Sequence, residues 1–252
     1  MKVLSIIVSL LALVSCATRN EERTIDGNVY VLAFQDEFDG NSLDTEKWVY
    51  RTDSKHWSTQ EPDNVEIRDW NLLLHLKKEQ SKGMEYTGAG IISKERYGFG
   101  YYEASMKVPP GAGWHNSFWL MDHDGSGSTA TQSSTIEIDI IENDSKNPTK
   151  YGVNFHRWKD KHISIGHKVI ESPDMSKDFQ IFACVYTPDY VKFFMNGVEV
   201  HQIDISDMPK APQNIWLTSI ATWLGKTEAV DDDQLPAKVE FEYVRYYKPN
   251  YN

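Results

Sequence analysis

The sequence predicts an all-β protein, a sandwich or barrel built from short strands. Three observations carry this. Runs of four to nine β-forming residues recur along the chain, with Gly, Pro, Asn and Asp between them. Phe194-Met195-Asn196-Gly197-Val198 reads as a hairpin, because Asn-Gly accepts the positive φ of a type I′ turn. No segment sustains a 3.6-residue apolar stripe, and a turn or two of helix near Asp204 to Met208 is the most that fits.

In order, strands are expected at residues 29–34, 64–67, 71–76, 88–94, 100–108, 116–121 and 135–142. The series continues at 151–158, 162–170, 179–187, 190–195, 198–205, 215–221 and 239–247. No repeat or internal linker interrupts it, so residues 24–252 are read as one domain. Gly125-Ser126-Gly127-Ser128 is too short to separate two domains, and Asp231-Asp232-Asp233 is read as a solvated loop.

The N-terminus carries a targeting pattern. Lys2 precedes a largely apolar run from Val3 to Val14, too short to span a bilayer comfortably. Leu13-Val14-Ser15-Cys16 resembles a bacterial lipobox. It implies a signal peptide over 1–15, lipid on Cys16, and a tether over 16–23. The expected location is the bacterial cell envelope, at the outer membrane. The other cysteine, Cys184, sits in an apolar run and is read as a buried strand residue.

The formal net charge is −11, which argues against nucleic acid as a partner. Eight Trp and thirteen Tyr supply flat rings suited both to sheet packing and to the apolar faces of sugars, so composition alone does not choose between them.

The informative segment is Thr135-Ile136-Glu137-Ile138-Asp139-Ile140-Ile141-Glu142. Strand side chains alternate faces, which sets Glu137 and Asp139 opposite Ile136, Ile138 and Ile140. Glu142 falls on the isoleucine face, where an unpaired charge would be costly. One extra residue, a β-bulge at Ile140 or Ile141, returns it to the acidic face. Three clustered acids raise at least one pKa and make a proton donor near neutral pH. A retaining glycosidase needs two carboxyls about 5–5.5 Å apart, one to attack and one to protonate. By itself the pattern fits an acidic solvent face or a cation site equally well.

The segment is not isolated. Glu137-Ile138-Asp139-Ile140-Ile141-Glu142 resembles the catalytic motif of glycoside hydrolase family 16, in its bulged form similar to that of laminarinases, agarases and carrageenases. Phe34 to Gly40, Tyr86 to Lys94, Gly98 to Ala104, Trp114 to Met121, Thr187 to Tyr190 and Phe241 to Tyr247 resemble further landmarks of that family in the same order. The resemblance implies a jelly-roll of two curved antiparallel sheets with a concave substrate cleft. It implies Glu137 as nucleophile, Glu142 as acid/base and Asp139 as assistant to the nucleophile. Tyr101, Tyr102 and Ser105 stand where the family often carries Arg, and Tyr186 where Trp is usual, so the substrate contacts are expected to differ.

Trp114 and Trp119 differ by five and should face opposite ways, yet both are candidate sugar contacts, with His115 and Asn116 beside them. Asn154, His156 and Trp158 share parity on the next strand and are expected to line the cleft. The resemblance adds Trp223 at the cleft's far end, with His56 and Trp57 in a capping loop. It implies no required cofactor, and it matches Glu242 to the acidic side chain of a structural calcium site. The expected activity is endo-acting, retaining hydrolysis of a β-linked polysaccharide by a monomer. A β-1,3- or mixed-linkage glucan is the first candidate, and a β-galactan or galactose-containing host glycan the second. A transglycosylase would use the same acids. A non-catalytic sugar-binding lipoprotein is the reading from another class.

Overall fold

The computed structural model describes residues 21–123, 134–226 and 228–251. Cys16 and the Gly125–Ser128 segment lie outside them.

Strands β1 (Glu22–Ile25), β2 (Asn28–Asp36), β3 (Trp48–Tyr50), β4 (Ser54–Lys55), β5 (Ser58–Gln60) and β6 (Val65–Arg68) open the chain. They are followed by β7 (Asn71–Leu76), β8 (Tyr86–Ser93), β9 (Gly100–Lys107), β10 (Trp114–Met121), β11 (Ile136–Asp144) and β12 (Lys150–Arg157). The last six are β13 (Ile163–Glu171), β14 (Gln180–Tyr186), β15 (Tyr190–Met195), β16 (Val198–Asp204), β17 (Asn214–Ala221) and β18 (Ala237–Pro249). Two single 3₁₀ turns, Pro62–Asn64 and Asp232–Gln234, are the only helical pieces among the described residues. The turn of helix expected after Asp204 is a plain turn. There Asp204 Oδ1 accepts from the Ser206 backbone N–H (2.9 Å) and hydroxyl (2.7 Å), so a local side-chain bond takes the place of a helical one.

One sheet runs β1-β2-β18-β9-β14-β15-β16, with β7 and β6 joined through β18. The other runs β13-β12-β11-β10-β17-β8-β5-β4, with β3 joined to β8. Among the described residues every strand pairing is antiparallel except the short β5–β8 pair. The result is the expected all-β sandwich, a curved jelly-roll-like arrangement. The Asn196-Gly197 hairpin has φ of 50° and 78° at its two turn residues, as the type I′ reading requires.

The core is the space between the sheets. Ile136, Ile138, Phe118, Leu120, Val153 and Phe155 from the second sheet are buried with Leu72, Met106, Phe182, Cys184 and Phe241 from the first. Tyr151 meets Phe182 edge-on across that gap, with ring centroids 5.1 Å apart. Alternation then turns the other face of β10, β11 and β12 outward on the concave side, and that places the site. Cys184 is fully buried, and burial pushes its thiol pKa up, which suits an inert core residue.

Candidate active site

The catalytic-type acids owe their common face to one irregularity. Phe118 pairs with Ile141 and Trp119 with Asp139, so Ile140 is the extra residue of a β-bulge. The same shift interrupts the β11–β12 register between Asp139 and Glu142. Ile140 and Ile141 are consecutive, yet both enter the core, at 1% and 0% exposure. Glu142 is thereby carried to the side of Glu137 and Asp139. Burying two adjacent isoleucines favours this register over the regular one, which would place a carboxylate among them.

The acids sit in different surroundings. Glu137 accepts a hydrogen bond from Trp158 Nε1 at 3.0 Å. Asp139 is 2% exposed, and its Oδ2 has no hydrogen-bond partner, although His156 Nε2 lies 3.2 Å away. The proton positions explain that orphan oxygen. Asn154 Oδ1 accepts from the Phe155 N–H (3.0 Å) and the Ser164 hydroxyl (3.1 Å), which turns its amide nitrogen toward His156. Asn154 Nδ2 then donates to His156 Nε2 (2.8 Å), and His156 Nδ1 donates to His162 Nε2 (2.8 Å). With Nε2 used as an acceptor, His156 offers Asp139 no proton.

Burial, and then the neighbouring Asp139 charge, hold the pKa of Glu137 well above the carboxylate range. Burial, and then Glu142, do the same to Asp139. Like charges this close cannot both ionise, so the pair retains a proton. Asp139 is the more buried, Trp158 donates to Glu137, and a side-chain hydrogen bond links the two acids, so the pair shares its proton across that bond. Glu142 is different. Burial pushes its pKa up, but the hydrogen bond and charge of His115 outweigh this and lower it. Glu137, Asp139 and His156 each place one donor atom within 4.8 Å of the others, a spacing a metal ion would accept.

The floor beside the acids is aromatic. Trp119 packs on Trp216 with centroids 4.5 Å apart, and Trp119 Nε1 donates to Thr218 Oγ1 at 3.0 Å. Arg51 lies 5.6 Å over the Trp216 ring and is held by Asp53 at 2.6 Å and 3.0 Å. Trp158 joins the same apolar cluster, and His162 stacks on its ring at 4.0 Å.

A concave face that carries Glu137 and Glu142 in unlike surroundings beside aromatic rings fits a glycosidase cleft, which works with a pair of carboxyl groups. A family model described as "Beta-porphyranase A-D, GH16 domain" matches residues 29–249. The chain belongs to this GH16 family. Family and fold together support glycosidase activity. It is similar to a β-glucanase of Rhodothermus marinus, 25% identical over 95% of this chain and 92% of the relative. A β-glucanase of Paenibacillus macerans is 30% identical over 69% of this chain and 70% of the relative. Among solved structures, the endo-β-1,3-glucanase of Pyrococcus furiosus shares the fold with TM-score 0.76 and 22% identity, covering 92% of this chain and 99% of that one. A structure from work on endo-acting O-glycanases of gut bacteria in mucin breakdown has TM-score 0.75 and 23% identity, covering 90% and 93%.

Within the GH16 cleft the structure brings together Glu137, Asp139, Glu142, His115, Trp119, Asn154, His156 and Trp158. Two expected sugar contacts are corrected. Trp114 is 2% exposed and packs edge-on against Tyr86 in the core. Asn116 is fully buried, where it bonds Asn143 (3.2 Å) and Ser219 (2.7 Å). Both lie on the core side because β10 alternates without a break from 114 to 121, leaving 115, 117 and 119 for the cleft. Trp223 is 53% exposed beyond β17 and meets His56 edge-on at 5.1 Å. Glu242 lies on the other sheet and accepts from Ser105 Oγ at 2.5 Å. Among the described residues it joins no group of three metal-type donors. Trp216, Arg51 and His162 were not anticipated. Trp216 has a visible cue, a tryptophan among β-formers, but its place beside Trp119 depends on β10–β17 register.

Proposed function

We propose that this protein is an endo-acting, retaining glycosidase of β-glucan that works by double displacement. Glu137 attacks the anomeric carbon, Glu142 protonates the departing oxygen and later deprotonates water, and Asp139 holds the shared proton while Glu137 attacks. The observation that carries the reading is the Ile140 bulge, which turns Glu142 onto the face of Glu137. Trp119 and Trp158 would seat the sugar rings, and Trp223 would extend the cleft. The β-glucan assignment rests on the β-glucanase relatives that span most of the chain. A second reading, a β-linked galactan, is favoured by the family model named for β-porphyranases.

The test is digestion of a β-1,3-glucan, a mixed-linkage β-glucan and a β-galactan, with the anomer of the first product followed by NMR. Internal cleavage of a glucan with an initial β-product is expected. An α-product rules out double displacement, and turnover of the galactan alone moves the substrate to the second reading.

We also propose that lipid on Cys16 tethers the domain to the bacterial cell envelope, on the support of the Leu13-Val14-Ser15-Cys16 run. Cys16→Ala should move the protein from the membrane fraction to the soluble one. Continued membrane association of that variant contradicts the tether.

A further inference from the structure

His115 occupies a place that sugar binding does not explain. It pairs directly with Asp144 across β10 and β11. Its Nε2 lies 3.2 Å from Glu142 Oε1, and its Nδ1 lies 3.4 Å from Asp144 Oδ1. A carboxylate only accepts, so a ring with a carboxylate oxygen at each nitrogen is fully bonded when both nitrogens carry protons. Asp144 is itself confined. A Cβ at Gly225 would stand 2.7 Å from Asp144 Cγ and 2.8 Å from its Cβ, so the glycine is what leaves room for it. The site is thus built to keep an imidazolium against Glu142.

The surrounding charges are mixed. Glu142 and Asp144 face His115 from β11, with Asp139 and Glu137 further along that strand. Lys55 on β4 acts on Asp139, and His56 just after it interacts with His115, Lys55 and Arg51. His156 on β12 and His167 on β13 act on Glu142. Burial works against a charged His115, yet the hydrogen bonds to Asp144 and Glu142 prevail and push its pKa up to about 10.

We propose that His115 stores the proton that Glu142 delivers, with Asp144 holding the imidazolium in place. This rests on the double-displacement reading and deepens it. In the free enzyme Glu142 is a carboxylate beside the His115 imidazolium. As the Glu137 oxygen forms its bond to the anomeric carbon, the bond from that carbon to the leaving oxygen breaks. The Nε2 proton passes to Glu142 and on to the leaving oxygen, and His115 becomes neutral. In the second half a water oxygen bonds the anomeric carbon and the Glu137 ester bond breaks. The water proton passes to Glu142 and returns to His115. Protons balance over the cycle, and His115 acts only through Glu142, as a positioning residue.

The consequence is a basic limb of activity set by the pair rather than by Glu142 alone. Gln at position 115 keeps a donor for Glu142 but stores no proton. Glu142 must then hold its own proton, which leaves at lower pH. The experiment is the pH profile of kcat/KM for the parent, His115→Gln and Asp144→Asn on polysaccharide and on a dinitrophenyl glycoside. On polysaccharide the basic limb of His115→Gln should fall by at least about one pH unit. The deficit relative to the parent should then grow about tenfold per unit above that limb. Asp144→Asn should shift it in the same direction by less. On the dinitrophenyl glycoside, whose leaving group needs no proton, the first-step limb should disappear in all three. A loss equal at every pH, or an unmoved limb in both variants, overturns the proposal and leaves a packing role. Glu142→Gln separates the two levels. If it still turns over polysaccharide as the parent does, Glu142 is not the acid/base and the reading of the site fails. If it is inactive while the limb of both other variants stays put, only the storage role fails.

Discussion

Glu142→Gln is expected to lower kcat/KM on polysaccharide by roughly 10²–10⁴-fold, the usual contribution of a positioned general acid. Glu137→Gln should cost at least as much, because it removes the atom that forms the covalent bond. The two losses differ in kind. Glu142→Gln should retain glycosylation by substrates with good leaving groups, since Glu137 still attacks and no proton is needed. Glu137→Gln should lose that reaction too. Both variants should keep the fold, because an amide replaces a carboxylate of the same shape. Both should keep oligosaccharide binding, because Trp119 and Trp158 are untouched. Binding by the parent without turnover of any β-glucan or β-galactan would instead make the chain a sugar-binding protein.

Asp139→Asn should move activity and stability in opposite directions. Burial, and then Glu142, raise the folded-state pKa of Asp139. The unfolded aspartate ionises near pH 4, to within about half a unit. Below that pH both states hold the proton and there is no penalty. Above it the unfolded chain gains a charge that the folded chain resists, and stability falls until the pH passes the folded-state pKa. Above that the cost stays constant. Asn cannot ionise, so it removes the cost. Each pKa unit corresponds to about 1.4 kcal/mol, or about 3–6 °C in Tm for a chain of this size. At pH 8 Asp139→Asn should melt above the parent, and at pH 4 the difference should vanish. Activity should drop on the order of 10²-fold, because the buried group that balances charge on Glu137 no longer responds to it. Thermal melts at the two pH values, with kcat beside them, check both halves. A variant that melts lower at pH 8 contradicts the burial of a resisted charge at Asp139.

Much of this was legible in the sequence. The strands from residue 64 onward follow from β-forming runs between turn residues. The bulge follows from a single conflict, a glutamate where alternation demanded an isoleucine. The short strands β3, β4 and β5 were not legible, because two or three residues carry no period. Trp114 shows alternation deciding between two candidate aromatic contacts. It stands five residues from Trp119, and the unbroken β10 ladder puts it in the core. Trp216 and His162 needed register and hairpin geometry, which bring residues 119 and 216, or 156 and 162, together only in the folded chain. The pairing of His115 with Glu142 lies in the same category, since 27 residues separate them.

The double-displacement chemistry stands or falls on a covalent bond at one residue. The direct measurement is mass spectrometry of the protein after reaction with a dinitrophenyl 2-deoxy-2-fluoro-β-glycoside, followed by peptide mapping. The expected result is one added sugar on the peptide containing residues 136–144, attached to Glu137 and absent in Glu137→Gln. An adduct on Glu142 or elsewhere, or full turnover through an α-product with no adduct, would contradict it.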